Sequence, residues 1–238
     1  MKSTLVIFDW DDTILDVGDL LVRSQYLAAT SIFKDQHKYS FLQDWQLPTI
    51  DKFHSLVGNR LKEVVIPELF PHYSLNNHES WADDFVKRFR NYYQNCNESK
   101  QLFHGARNAL HNLHESGYKL AIATNKSRYL FDAEIEKEGI GPYFSATYCA
   151  DDADVALQCK PNARMINLIQ DKFSQQQRFV MIGDSSYDIT AAKNSKRCNV
   201  TKTIGILHSG RTFIDVPDIT INSVSNINAE IVESLFNV

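Results

Sequence analysis

Apolar positions along the chain fall into two kinds of pattern. The first is the short continuous run, expected of a strand in a parallel sheet whose two faces are both covered by helices. Such runs occupy Leu5 to Trp10, Lys119 to Thr124, Phe179 to Ile182 and Thr203 to Leu207, with weaker ones at Ala146 to Cys149 and Ile219 to Ile221. The second kind repeats every three to four residues and predicts helices between the strands. Leu110, Leu113 and His114 share one face of a segment that runs from Ala106 to a C-terminal cap at Gly117. Similar stretches run from Ser127 to Glu138, from Pro161 to Phe173 and from Tyr187 towards Arg197. Strands and helices alternating over connections of this length predict an α/β fold with a doubly wound, Rossmann-like parallel sheet.

One interval breaks the alternation. Between Asp16 and Gln101 only helical periodicities occur: Leu20, Leu27, Ala28 and Ile32, then Ile50, Phe53, Leu56 and Val57, then Trp81, Phe85, Phe89 and Tyr93. Nearly half of the aromatic residues lie in this interval, enough for a second small core. Residues 1–16 and 102–238 are therefore expected to form the sheet domain. Residues 17–101 are expected to form an inserted all-helical module, with the polar stretch from Gln94 to Gln101 as the return linker.

Composition narrows the class of function. With 238 residues, 43% of them hydrophobic and 23% charged, the chain can fold without disulfide staples and is not a disordered one. A net charge of −4 gives no overall attraction to nucleic acid or to an acidic membrane surface, so neither is expected as a partner. Cys96, Cys149, Cys159 and Cys198 stand singly, and no apolar run approaches the roughly 20 residues that span a bilayer. Free thiols and the lack of a signal-peptide core after Met1 point to a cytoplasmic protein.

Candidate chemistry sits where the apolar runs stop, which is where open parallel sheets bind ligands. The first run ends in Asp9-Trp10-Asp11-Asp12-Thr13, with Asp9 and Asp11 two residues apart and so on one side of an extended chain. The second ends in Thr124-Asn125 before a helix whose free N–H groups favour an anion. The third ends in Gly183-Asp184-Ser185-Ser186-Tyr187-Asp188, and Lys160-Pro161 precedes it. If Asp9, Asp11, Asp184 and Asp188 converge, each like pair ~4 Å apart costs about 4 kcal/mol at an effective dielectric of about 20. That arrangement requires a cation. Carboxylates without His or Cys suit a hard ion such as magnesium, and Lys160 or Lys126 could offset a further negative charge. Carboxylates, one metal, one lysine and a hydroxyl beside helix-terminal amides describe a phosphoryl-transfer site.

The ordered set Asp9 to Thr13, Thr124-Asn125, Lys160-Pro161 and Gly183 to Asp188 resembles the motifs of the haloacid dehalogenase superfamily, and within it the phosphoglycolate phosphatase-like branch. The inserted helical module resembles that superfamily's helical cap. The resemblance implies that Asp9 is the nucleophile and Asp11 the general acid and then base. It makes Thr124 and the backbone around Asn125 the holders of the phosphoryl oxygens and prefers Lys160 over Lys126 as the charge-stabilising lysine. Asp9, the Asp11 carbonyl and Asp184 would ligate Mg2+, with Asp188 either behind the metal or orienting Lys160. Asp12 is read as a turn former, Asp16 as a hinge or an exposed residue, and His104-Gly105 as structural.

Val57-Gly58-Asn59-Arg60 resembles the loop that closes over the site in capped relatives, so Arg60, or Lys62, is a candidate contact for a second anionic group. The implied activity is magnesium-dependent hydrolysis of a small phosphoester such as 2-phosphoglycolate, a sugar phosphate or a nucleoside monophosphate, by a monomer or homodimer. A phosphomutase of the β-phosphoglucomutase type and a catalytically silent regulatory protein are the alternatives. Two departures from the family pattern stand out: Lys160-Pro161-Asn162-Ala163 lacks a second proline, and Asn194 to Val200 replaces an expected Ala-Gly.

Overall fold

The computed structural model describes residues 2–57, 61–73, 75–96, 100–155, 158–207 and 213–237. The chain divides into two compact units, Met1–Asp16 with Lys100–Val238, and Val17–Ser99. The first unit opens with β1 (Thr4–Phe8) and the short β2 (Leu15–Asp16). The second unit contributes α1 (Leu20–Lys34), α2 (Ile50–His54), α3 (Ile66–Leu69) and α4 (Leu75–Gln94). The chain returns as β3 (Gln101–Leu102) and continues through α5 (Ala106–Glu115), β4 (Lys119–Ala123), α6 (Arg128–Glu138) and β5 (Phe144–Tyr148). It ends with α7 (Arg164–Lys172), β6 (Arg178–Gly183), α8 (Ser186–Lys193), β7 (Thr201–Ile206), β8 (Ile219–Ile221) and α9 (Ala229–Ser234).

Six strands form one sheet in the order β5-β4-β1-β6-β7-β8, with every neighbouring pair parallel. All five residues of β1 are buried, which a continuous apolar run can satisfy only between two covering layers. Alternate residues serve the two faces. Leu5, Ile7, Ala121, Phe179 and Met181 share one core with Met165, Ile166 and Ile169 of α7 and Ala191 and Ala192 of α8. The path runs outward from β1 to β4 and β5, then resumes on the other side of β1 with β6. This switch of direction lies at β1, and Phe8 pairs with both Ile122 and Ile182, so β4, β1 and β6 end level with one another.

The second unit is helical throughout its described residues, apart from turns and connections. Helix α1 packs along α4, where Arg88 bonds Asp84 at 2.8 Å and Asp35 at 3.1 Å. Its aromatic core stacks Trp45 on Phe70 at 4.5 Å and sets Trp81 edge-on to Phe70 at 4.8 Å. The indole of Trp45 donates to the Leu69 carbonyl at 2.7 Å. A single π-helical turn, Leu61–Val65, precedes α3 and has no counterpart in the periodicity. Leu27 and Ile50, assigned to apolar faces by spacing, are 45% and 42% exposed.

The strand runs are found within two residues of their expected ends. Three details differ. The linker side of the insertion forms a strand: β3 pairs antiparallel with β2, matching Leu15 with Leu102 and Asp16 with Gln101. Two-residue strands carry no readable periodicity, and this pairing makes Asp16 part of a small sheet. Helix α7 begins at Arg164, not Pro161, because Asn162 turns back to the Cys159 carbonyl and its side chain accepts from the Arg164 N–H at 2.9 Å. Between α8 and β7 the polar segment closes on Gln170, whose amide donates to Ser195 and Thr201 hydroxyls at 3.0 Å each and accepts from the Arg197 N–H. Asp12 adopts φ +56, as a turn former does. Among the described residues no helix is long and apolar enough to cross a membrane.

Gly105, the residue before α5, has φ +79, and an added Cβ would lie 2.5 Å from the Ser225 Cβ. Left-handed backbone alone costs an L-residue about 1–2 kcal/mol. The substitution Gly105→Ala is expected to lower stability by about 2 kcal/mol or more, read as a lower urea midpoint with an unchanged slope.

Candidate active site

The site is built where β1, β4 and β6 end. Beyond Phe8 the Asp9 amide still donates to the Ile182 carbonyl at 2.9 Å, which carries Asp9 alongside Gly183 and Asp184. The chain then turns tightly, with the N–H groups of Ile14 and Leu15 both bonding the Trp10 carbonyl at 3.0 Å. This turn brings Thr13 back so that its hydroxyl faces Asp184 at 3.4 Å. Asp9, Asp184 and Asp188 are all buried, and each offers a carboxylate oxygen within 4.8 Å of the others.

Lys160 lies against this group. Its ammonium contacts Asp9 at 2.7 Å and Asp188 at 2.5 Å, with 2% of its side chain exposed. The two oxygens of Asp188 have different partners: Oδ1 takes Lys160, while Oδ2 accepts from the Ser185 hydroxyl at 2.6 Å and the Ser185 N–H at 3.1 Å. Gly183 is needed for that packing, because a Cβ there would overlap the Asp188 carboxyl group. The backbone of Lys160 is clamped by Asn125, whose side-chain oxygen accepts from the Lys160 N–H at 2.9 Å and whose nitrogen donates to its carbonyl at 2.8 Å. The Asn125 side chain is thus turned to holding the lysine segment. Thr124 is buried one residue earlier, its N–H bonded to Tyr148 of β5 and its hydroxyl accepting from the Lys126 N–H at 3.2 Å.

Asp11 does not join the three-carboxylate group. Its carboxylate pairs with Lys126, whose ammonium also contacts Glu134 at 3.0 Å. The two lysines weighed as alternatives therefore serve different carboxylates. Arg60 lies outside the described residues. Lys62, its alternative, is paired with Asp83 within the second unit.

Burial dominates the electrostatics. It pushes the Asp9 carboxyl up to about 7, against the nearby Lys160 ammonium, and Asp188 pushes it further. Asp11 is raised by burial too, opposed by Lys126 and reinforced by Glu134. Burial by itself would lower the Lys160 and Lys126 ammonium groups, but the carboxylates beside each outweigh it and hold both above their ordinary range. Three buried carboxylates facing one another beside a single ammonium leave unbalanced negative charge. Their donors are all oxygen, which fits a hard divalent cation such as magnesium, with no nitrogen or sulfur ligand among them to favour a softer one.

Three further residues shape the site, and the sequence reading gave none of them a role. Glu134 follows Leu130 and Phe131 on the buried face of α6, so its signal is an acidic residue in an apolar stripe. Trp10, between the two aspartates, donates its indole N–H to Glu134 at 2.9 Å. Ser185 has the signature of a helix cap, an hydroxyl three residues before Asp188.

Residues 6–201 match the family described as haloacid dehalogenase-like hydrolase. The chain is 29% identical to a phosphoglycolate phosphatase of Agrobacterium fabrum, over 98% of this chain and 94% of that one. It is 23% identical to a pyrophosphatase of Bacillus cereus, over 95% of each. In fold it is similar to the crystal structure of a β-phosphoglucomutase from Clostridium difficile, with a TM-score of 0.71 at 15% identity, covering 100% of this chain and 98% of that one.

The raised Asp9 carboxyl has a consequence for stability. Between about pH 4 and pH 7 the folded protein holds a proton that the unfolded chain has released, so Asp9 lowers stability as pH rises through that window. With divalent ions removed by EDTA, Asp9→Asn is expected to raise the melting temperature over the unsubstituted protein, and by more at pH 8 than at pH 5. Equal shifts at both values would refute the perturbed carboxyl.

Proposed function

Because the chain belongs to the haloacid dehalogenase-like hydrolase family, we propose that it is a magnesium-dependent phosphatase of a small phosphorylated metabolite, acting through an aspartyl-phosphate on Asp9. The observation that carries this reading is the buried contact of Lys160 with Asp9 and Asp188, with Asp184 alongside, at the switch point of the sheet.

In this reading a carboxylate oxygen of Asp9 attacks phosphorus, and the bond to the leaving oxygen breaks as Asp11 gives that oxygen a proton. Water then attacks the aspartyl-phosphate, Asp11 takes its proton, and Asp9 departs as a carboxylate. Lys160 offsets charge on the nucleophile and the phosphoryl group, held in place by Asp188 and by the Asn125 clamp. Thr124 and the backbone amides before α6 receive the phosphoryl oxygens, where a helix N-terminus favours an anion. Asp9 and Asp184, with the Asp11 carbonyl, would hold the magnesium ion, which when bound would screen phosphoryl charge from these carboxylates. Both oxygens of Asp188 have partners in Lys160 and Ser185, which supports a role in orienting the lysine over direct ligation. Arg60 remains a proposed contact for a second anionic group on the substrate. Free thiols at all four cysteines suit a cytoplasmic location.

The names of the relatives put 2-phosphoglycolate and pyrophosphate first in a substrate panel, followed by sugar phosphates and nucleoside monophosphates. The test is release of inorganic phosphate from that panel with magnesium present, and its loss in EDTA. With a hexose phosphate, an isomeric ester in place of free phosphate would mean a mutase. Asp9→Asn is expected to lower turnover by at least about 1,000-fold while keeping the far-ultraviolet circular dichroism of the fold. Near-native turnover in that variant would overturn the nucleophile assignment.

A further inference from the structure

The second lysine of the site has no part in the reading above, and its surroundings are built with care. Lys126 is 2% exposed and sits between two carboxylates, Asp11 and Glu134. Glu134 is 8% exposed and its Oε2 accepts from both the Lys126 ammonium, at 3.0 Å, and the Trp10 indole N–H, at 2.9 Å. Trp10 is fully buried and set edge-on to Phe131 at 5.0 Å, one turn before Glu134 on α6. Lys100 approaches the other oxygen of Glu134 at 4.0 Å. Asp11 is the most open member of the group, with a fifth of its side chain exposed. A chain of contacts therefore runs from Phe131 through Trp10, Glu134 and Lys126 and reaches solvent at Asp11.

We infer that Lys126 and Glu134 are positioning residues that hold the Asp11 carboxylate in the orientation from which it meets the leaving oxygen. Asp11 lies in the tight turn that opens at Trp10 and has a rotatable side chain, so its direction needs an external restraint. Lys126 supplies it, arriving from the end of β4 as a buried charge that cannot be left unpaired without large cost. Glu134 gives that ammonium a second partner, so that its place does not depend on Asp11 alone. The indole bond to Glu134 ties the restraint to the segment that carries both aspartates. This inference rests on the reading of Asp11 as the proton-transfer group, and it extends that role to residues outside the four motifs.

Substrates whose leaving groups differ in their need for a proton separate positioning from general structural support. The aryl ester p-nitrophenyl phosphate departs with little help, whereas an alkyl ester such as 2-phosphoglycolate requires a proton on the departing oxygen. Asp11→Asn serves as the reference. Lys126→Met is expected to lower kcat/KM for the alkyl ester by about 100-fold and for the aryl ester by less than tenfold, within the range of a lost general acid. Glu134→Gln, nearly isosteric, is expected to shift the alkyl-to-aryl ratio in the same direction by about tenfold. Adding Lys126→Met to Asp11→Asn should lower the ratio no further, since both remove one function. Equal losses on the two esters in Lys126→Met and Glu134→Gln, beside a selective loss in Asp11→Asn, would overturn the inference and leave the role of Asp11 standing. Equal losses in Asp11→Asn itself would overturn both. Should Lys126→Met fail to fold, judged by its melting curve, the ratio in Glu134→Gln decides alone.

Discussion

The Lys160 ammonium is the group on which the crevice depends. It is buried between Asp9 and Asp188, and without it three carboxylates would face one another in a region that water barely reaches. The fold invests in its placement from three directions. Asn125 grips its backbone from the end of β4, Asp188 meets its head from α8, and Ser185 fixes Asp188 in turn. Gly183 completes the arrangement by leaving room for the Asp188 carboxyl where any side chain would intrude. The ends of β1, β4 and β6 are thereby tied to each other through charge as well as through the sheet.

Two buried lysines divide the acidic groups between them. Lys160 serves Asp9 and Asp188 on the β6 side of β1, and Lys126 serves Asp11 and Glu134 on the β4 side. Asp9 and Asp11 are two residues apart in sequence, yet the turn after Phe8 separates their carboxylates into different charge environments. On the proposed mechanism that separation would let Asp9 attack while Asp11 handles protons, a division of roles that a single shared environment would blur.

Much of this was legible in the sequence, and what was not has identifiable causes. The central strands β1, β4 and β6 announced themselves because both of their faces are buried and nearly all their residues are apolar, whereas β5 and β8 at the edges of the sheet are only partly buried and gave weaker runs. The acidic motifs stood out because carboxylates immediately after such runs have few structural reasons to be there. Glu134 and Trp10 were hidden, since a glutamate within a helix and a tryptophan at a strand end are ordinary residues until the fold places them together. The choice between Lys126 and Lys160 was likewise invisible to spacing, because both belong to the crevice and only three-dimensional placement assigns each to its carboxylates. The strands β2 and β3 were beyond reach for a simpler reason: two residues hold too little pattern, and their partners are far apart in the chain.

That small antiparallel pair has a consequence for how the chain is assembled. By fastening residues 15–16 to 101–102, it places the two ends of a long excursion side by side, as a hairpin does with its two legs. Closing so large a loop costs only slowly more as the loop lengthens. The sheet thus experiences the intervening segment as a graft on a short stem. Segments of other lengths and designs can be carried on the same stem with little penalty to the scaffold, which makes this junction the natural place for the chain to be diversified.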